Sequence, residues 1–207
     1  MKGLLLKDWY MVRKYCRSYL LIAVVFFAVA LAGGGNLFFL FYPCMLCGMI
    51  PVNLLGYDER SHWIVYSATL PYSRTQLVSA KYLMGLMAQG AVLLAGGLAY
   101  GIKMYLYDAL VPAELLAMLL LMLALSMLGS ALPLPFMFKL GVERGRAAYY
   151  VMLGFVCGAS ILAGNMLETG QETGIGLWLP ALLAAVGAGL YALSWYLSVV
   201  FFRKREL

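Results

Sequence analysis

The sequence predicts an all-α membrane protein: an N-terminal amphipathic interfacial helix followed by six transmembrane helices, with both termini cytoplasmic. Three observations carry this. Of 207 residues, 64% are hydrophobic and only 12% charged, an apolar share well above the roughly half found in soluble domains. The apolar residues gather in stretches near the roughly 20 residues a helix needs to cross a hydrocarbon core about 30 Å thick, longer than barrel strands require. With alternating spans, all of the 15 lysines and arginines except Lys103 fall on one side, as the positive-inside rule requires of a cytoplasmic face.

Residues 1–17 open the chain. At 100° per residue, Leu4, Leu5, Met11, Val12, Tyr15 and Cys16 share one helical face and Lys2, Lys7, Arg13, Lys14 and Arg17 the other, the pattern of a helix lying in the membrane interface with its basic side toward anionic headgroups. A secretory signal peptide ending near Ala28-Val29-Ala30 is the rival, and the banded basic helix before the apolar run argues against it. Spans are expected at Ser18–Ala32, Leu37–Leu55, Leu77–Tyr100, Pro112–Phe138, Ala147–Leu167 and Ile175–Phe202. Residues 1–207 thus form one transmembrane domain, with a cytoplasmic segment over 56–76 and a short tail over 203–207. The outer connections are too short to fold alone. Glu168 and Glu172 give the last of them an acidic character, most simply that of a solvated loop, with attraction of a cationic substrate at the exit as the functional alternative.

Within the spans, Pro112 suits the first turn of a helix and Glu114 its positive end. Pro133 and Pro135 should kink the fourth span, and Pro43 and Pro51 make the second irregular. Small residues at Gly97 and Gly101, and at Gly154 and Gly158, have the spacing that lets helices approach closely in lipid, within one subunit or between two.

The one long polar-containing stretch on the basic side is residues 57–82. Asp58 and Glu59 are expected near the start of a short helix through His62, Trp63 and Tyr66, ended by Leu70-Pro71. Ser73 and Gln76 make a capping box for a new helix running through Lys81. A short helix would then lie across the base of a longer one; the plainer alternative is an interfacial loop with headgroup-level aromatics.

Chemistry is thinly represented. His62 is the single histidine, so no histidine pair is available for a metal, and no HExxH motif or GxxxxGK[ST] phosphate loop occurs. Cys44 and Cys47 lie in an apolar span and read as buried thiols rather than a redox pair. No ionisable residue stands firmly within a span, which removes the usual mark of a proton or ion relay. The net charge of +6 is spread around the inner rim, which argues against nucleic acid as a partner. No catalytic residue and no metal site are assigned.

The run Leu70-Pro71-Tyr72-Ser73-Arg74 followed by Val78-Ser79-Ala80-Lys81-Tyr82 resembles the LP-x-S-R … V-x-x-K-Y pattern of permease subunits of type-2 ABC exporters, and the opening Leu6-Lys7-Asp8 is similar to that family's start. Compact size and minimal outer loops are most similar to exporters of amphipathic peptides of the phenol-soluble modulin type. The resemblance implies a dimer with a second permease, identical or a close paralogue, in the bacterial cytoplasmic membrane, docked on two copies of an ATP-binding subunit that hold ATP and Mg. Residues 58–69 would be the coupling helix, with Trp63 and Tyr66 as anchors. Asp58, Glu59, Arg60, His62, Leu70, Pro71 and Arg74 would complete the contact. Arg74 and Lys81 would hold the base of the third span at the membrane surface. Lys139, Glu143, Arg144 and Arg146 would form a weaker second contact, and Gly154 and Gly158 a packing or dimer interface. Drug or lipid export, a membrane enzyme using His62, and a scaffold or immunity protein are the alternatives.

Overall fold

A computed structural model describes residues 2–32, 38–67, 69–106, 111–142, 144–145, 150 and 177–204. Among these residues the chain is helical and carries no strand. The helices are α1 (Lys2–Tyr15), α2 (Arg17–Leu31), α3 (Phe38–Gly48), α4 (Ile50–Arg60), α5 (Trp63–Ser67), α6 (Arg74–Leu106), α7 (Pro112–Ala131), α8 (Pro133–Leu140) and α9 (Trp178–Lys204).

Among the described residues, four stretches are long and apolar enough to cross a membrane: Phe39–Arg60, Arg74–Leu106, Pro112–Leu140 and Trp178–Lys204. A fifth arises only if α1 and α2, bent by 63° at their junction, are taken together. The six-span expectation is therefore met in part. Its first span is the 15-residue α2, short of a full crossing by itself. Its fifth span, 147–167, lies outside the described residues. Gly154, Gly158, Glu143, Arg146, Cys157, Glu168 and Glu172 lie outside them too.

Proline and capping chemistry set the helix boundaries. Pro112 occupies the first turn of α7 with Glu114 beside it. Pro133 begins α8 after α7 ends at Ala131, because a proline ring cannot continue the hydrogen-bond ladder. Pro51 likewise opens α4, whereas Pro43 is carried inside α3. The capping box closes in both directions: Ser73 N–H donates to Gln76 Oε1 and Gln76 N–H to Ser73 Oγ, each at 3.2 Å. Gly141 ends α8 at φ 84°, a conformation that glycine adopts without the Cβ penalty.

Two buried clusters hold the bundle. One gathers Phe27, Leu40, Cys44, Ile50, Met84 and Met122 from α2, α3, α4, α6 and α7. The other gathers Val52, Val78, Leu134, Met137, Phe138 and Phe202 where α4, α6, α8 and α9 converge. Polar links cross between helices: Tyr82 Oη bonds Ser194 and Ser198 at 2.6 and 2.7 Å, and Tyr191 Oη donates to the Tyr82 carbonyl. The outer surface is apolar, with Val24 on α2, Leu94 and Leu98 on α6, and Leu182 and Val186 on α9 all exposed. A lipid-facing surface has this character, since hydrocarbon does not penalise it.

A close backbone approach between two spans falls where the sequence did not point. A Cβ on Gly48 would stand 2.9 Å from the Ser126 carbonyl oxygen, where α3 crosses α7 beside Gly129. Of the expected pair Gly97 and Gly101, the first meets only the Leu119 side chain, and a Cβ on the second would meet nothing within 4 Å.

Candidate functional site

The helix expected to begin at Asp58 begins elsewhere. Asp58, Glu59 and Arg60 form the last turn of α4, continuous with the span above it. The chain then turns at Ser61 and His62, with His62 at φ 53°, and the five-residue α5 follows from Trp63. Carboxylates at a helix C-terminus oppose the macrodipole, so their position needs compensation, and each has it. Asp58 is ion-paired on both oxygens, and Glu59 Oε2 accepts the Val142 N–H at 2.6 Å.

The partners of Asp58 form a buried quartet. Lys81 Nζ lies 2.7 Å from Asp8 Oδ1 and 2.6 Å from Asp58 Oδ2. Lys7 Nζ lies 2.7 Å from Asp58 Oδ1 and 3.3 Å from Asp8 Oδ1. The side chains of Lys81, Asp8 and Asp58 are 6%, 2% and 4% exposed. Two positive and two negative charges balance, as buried ions must. Burial lowers the Lys7 pKa, and neighbouring Lys81 adds to that, against the opposing pull of Asp8 and Asp58. Beside the quartet is a space of about 20 Å³, enough for one water and too small for a ligand. The quartet is therefore a joint, and it ties α1, the end of α4 and the start of α6 together.

Two expectations change as a result. Lys7 leaves the basic face of α1 and turns inward, because the carboxylates of Asp58 and Asp8 await it there. Lys81 is a buried hub rather than an anchor at the membrane surface. Arg74, by contrast, reaches across to the end of α9, where Nη1 donates to the Phe202 and Arg203 carbonyls at 3.3 and 2.9 Å. A cation there satisfies carbonyls that the helix leaves open.

The corner between α4 and α6 stands against this frame. Trp63 is half-buried, with Lys7 Nζ 4.4 Å from its ring centroid, and Tyr66 packs against it at 5.5 Å between centroids. Tyr66 and Val65 are 58% and 57% exposed. Arg60, His62 and Pro71 are exposed beside them and Leu70 is half-buried. Beyond Glu59, a cleft of about 320 Å³ is lined by Glu59, Arg60, Gly141, Val142 and Arg144. Lys139 is exposed and sits over the Phe201 ring at 5.1 Å. The two expected contact segments thus meet at one end of the bundle, joined by the Glu59–Val142 bond. The two carboxylates nearest His62 in sequence, Asp58 and Glu59, are engaged elsewhere.

The quartet escaped the sequence reading because its partners lie 51 and 73 residues apart. The one available signal was Asp8, a lone carboxylate on an otherwise basic helix. Among the described residues, no group of histidine, cysteine, aspartate or glutamate side chains could hold a metal.

No curated protein matches the chain. The family model described as ABC-2 family transporter protein matches residues 3–203. That match takes in the basic helix, the quartet, the corner and every described span, so the chain belongs to the ABC-2 transporter family and is a multi-pass membrane permease.

Proposed function

We propose that this permease is the transmembrane subunit of an ATP-driven exporter, and that the corner from Arg60 to Ser73 is the surface that docks on the ATP-binding subunit the family implies. The observation that carries the proposal is the contrast within the corner: Val65 and Tyr66 are open to a partner, while the backbone behind them is fixed by the buried quartet. An exposed aromatic on a rigid support is a natural hot spot. Force applied at α5 would pass into α6 through the capped turn at Ser73 and into α1 through Lys81 and Asp8, moving these helices as one body. The segment at Lys139 to Arg146 would be a second contact, reached through Glu59 and the adjoining cleft.

ATP and Mg belong to the partner, of which two copies would serve a dimer of permeases, identical or paralogous, with the corner facing the cytoplasm of a bacterial cell. Amphipathic or hydrophobic molecules, cytolytic peptides first among them, would suit the largely apolar path between two such subunits. The proposal is tested by co-purification with the ATP-binding subunit in mild detergent and assay of ATP hydrolysis. Tyr66→Ala with Val65→Ala is expected to lose the partner at unchanged thermal stability, because both side chains face outward. Retention of a fully active ATPase by that variant would remove the corner as the docking surface.

A further inference from the structure

The quartet has a consequence for the surface of α1. Asp8 is the only acidic residue of this helix, and it is 1% exposed. Lys2, Arg13 and Lys14 remain outside, interspersed with Leu6, Trp9 and Tyr10, which are 57%, 50% and 62% exposed. The outer face therefore carries positive charge with no acidic residue of α1 to offset it. Between this face and α6 runs a groove of about 280 Å³, lined by Lys2, Leu5, Leu6, Trp9, Met84 and Met87. Five of these six side chains present hydrocarbon, thioether or indole, and the sixth is a cation.

We infer that this groove is a binding site for an anionic phospholipid. An acyl chain would lie along Leu5, Leu6, Met84 and Met87, and Lys2 would take the headgroup phosphate. Charge complementarity selects the occupant: a lysine bordering an apolar trough matches an anionic headgroup attached to a hydrocarbon chain. Depth agrees. In a helix about 50 Å long at 1.5 Å per residue, Met84 and Met87 stand some turns inside the end of α6 that carries Arg74, where the outermost methylenes of a leaflet would meet them. Trp9 supplies the amphipathic ring that favours the headgroup level. The inference extends beyond the exporter proposal and does not depend on it, because lipid binding is measured on this chain alone.

The test uses Trp9 as the reporter. The purified chain is placed in phosphatidylcholine bilayers containing a small fraction of either dibrominated phosphatidylglycerol or dibrominated phosphatidylcholine, whose bromines quench tryptophan on contact. The Trp9 signal is the difference between the native chain and Trp9→Phe. The phosphatidylglycerol probe is expected to quench at about fivefold lower mole fraction, and Lys2→Gln is expected to remove that preference while Lys14→Gln, away from the groove, keeps most of it. Equal quenching by the two probes, a preference that survives Lys2→Gln, or an equal loss in both lysine variants would overturn the site, the last by showing only diffuse attraction to the α1 surface.

Discussion

Lys81 contacts Asp8 at 2.7 Å and Asp58 at 2.6 Å in near-complete burial. Removing one member of a buried charge group is costly because the remaining ions are left without compensation. Lys81→Met is accordingly expected to cost roughly 3–5 kcal/mol, measured as the loss of monodisperse protein after heating in detergent. The double variant Lys81→Met with Asp8→Leu restores neutrality around Lys7 and Asp58, and should recover a substantial part of that loss. Such non-additivity is the signature of coupled neighbours; additive losses would show that the four charges do not act as a group. This scale was the least legible in the sequence. Hydropathy locates a cation at the edge of a span, but whether it faces lipid or protein depends on which carboxylates other helices bring to it, and these came from residues 8 and 58.

At the scale of the element, local chemistry was readable and packing was not. The Ser73–Gln76 box, the Pro112 start of α7 and the Pro133 break each involve groups a few residues apart, so the sequence states them directly. The end of α4 departs from local expectation because Asp58 and Glu59 favour a helix start by dipole alone, whereas tertiary ion pairs and the Val142 N–H hold them at a helix end. Helix contacts show the same division. Small-residue spacing pointed to Gly97 and Gly101, yet the close crossing is at Gly48 and Gly129, because periodicity marks a permissive stripe without naming the helix that packs on it. Gly48→Ala must push α3 from α7, since its Cβ would stand 2.9 Å from a carbonyl oxygen. It is expected to lower the unfolding temperature in detergent, while Gly101→Ala, which meets open space, is neutral or slightly stabilising through helix propensity. Equal effects of the two would contradict the α3–α7 crossing.

For the whole molecule, the arrangement is polarised. One end gathers α1, the ends of α4, α8 and α9 and the start of α6, linked by the quartet, the Glu59–Val142 bond and the Arg74 contacts to α9. The rest of the described helices expose apolar side chains such as Val24, Leu94, Leu98 and Leu182, the character of a lipid-facing surface. Composition and charge placement made the membrane class legible, because partitioning depends on totals; the assembly at the charged end was legible only as a resemblance, because it depends on contacts across the fold. The central claim is that the exposed tip of this end, at α5, docks the ATP-binding subunit. Its most direct measurement is photo-crosslinking from a benzophenone amino acid placed at position 66, compared with one at position 98 on the lipid-facing surface, in the complex with the ATP-binding subunit. The account predicts a crosslink to that subunit from position 66 and none from position 98. A stable complex that yields no crosslink from position 66, or yields the same product from position 98, would contradict it.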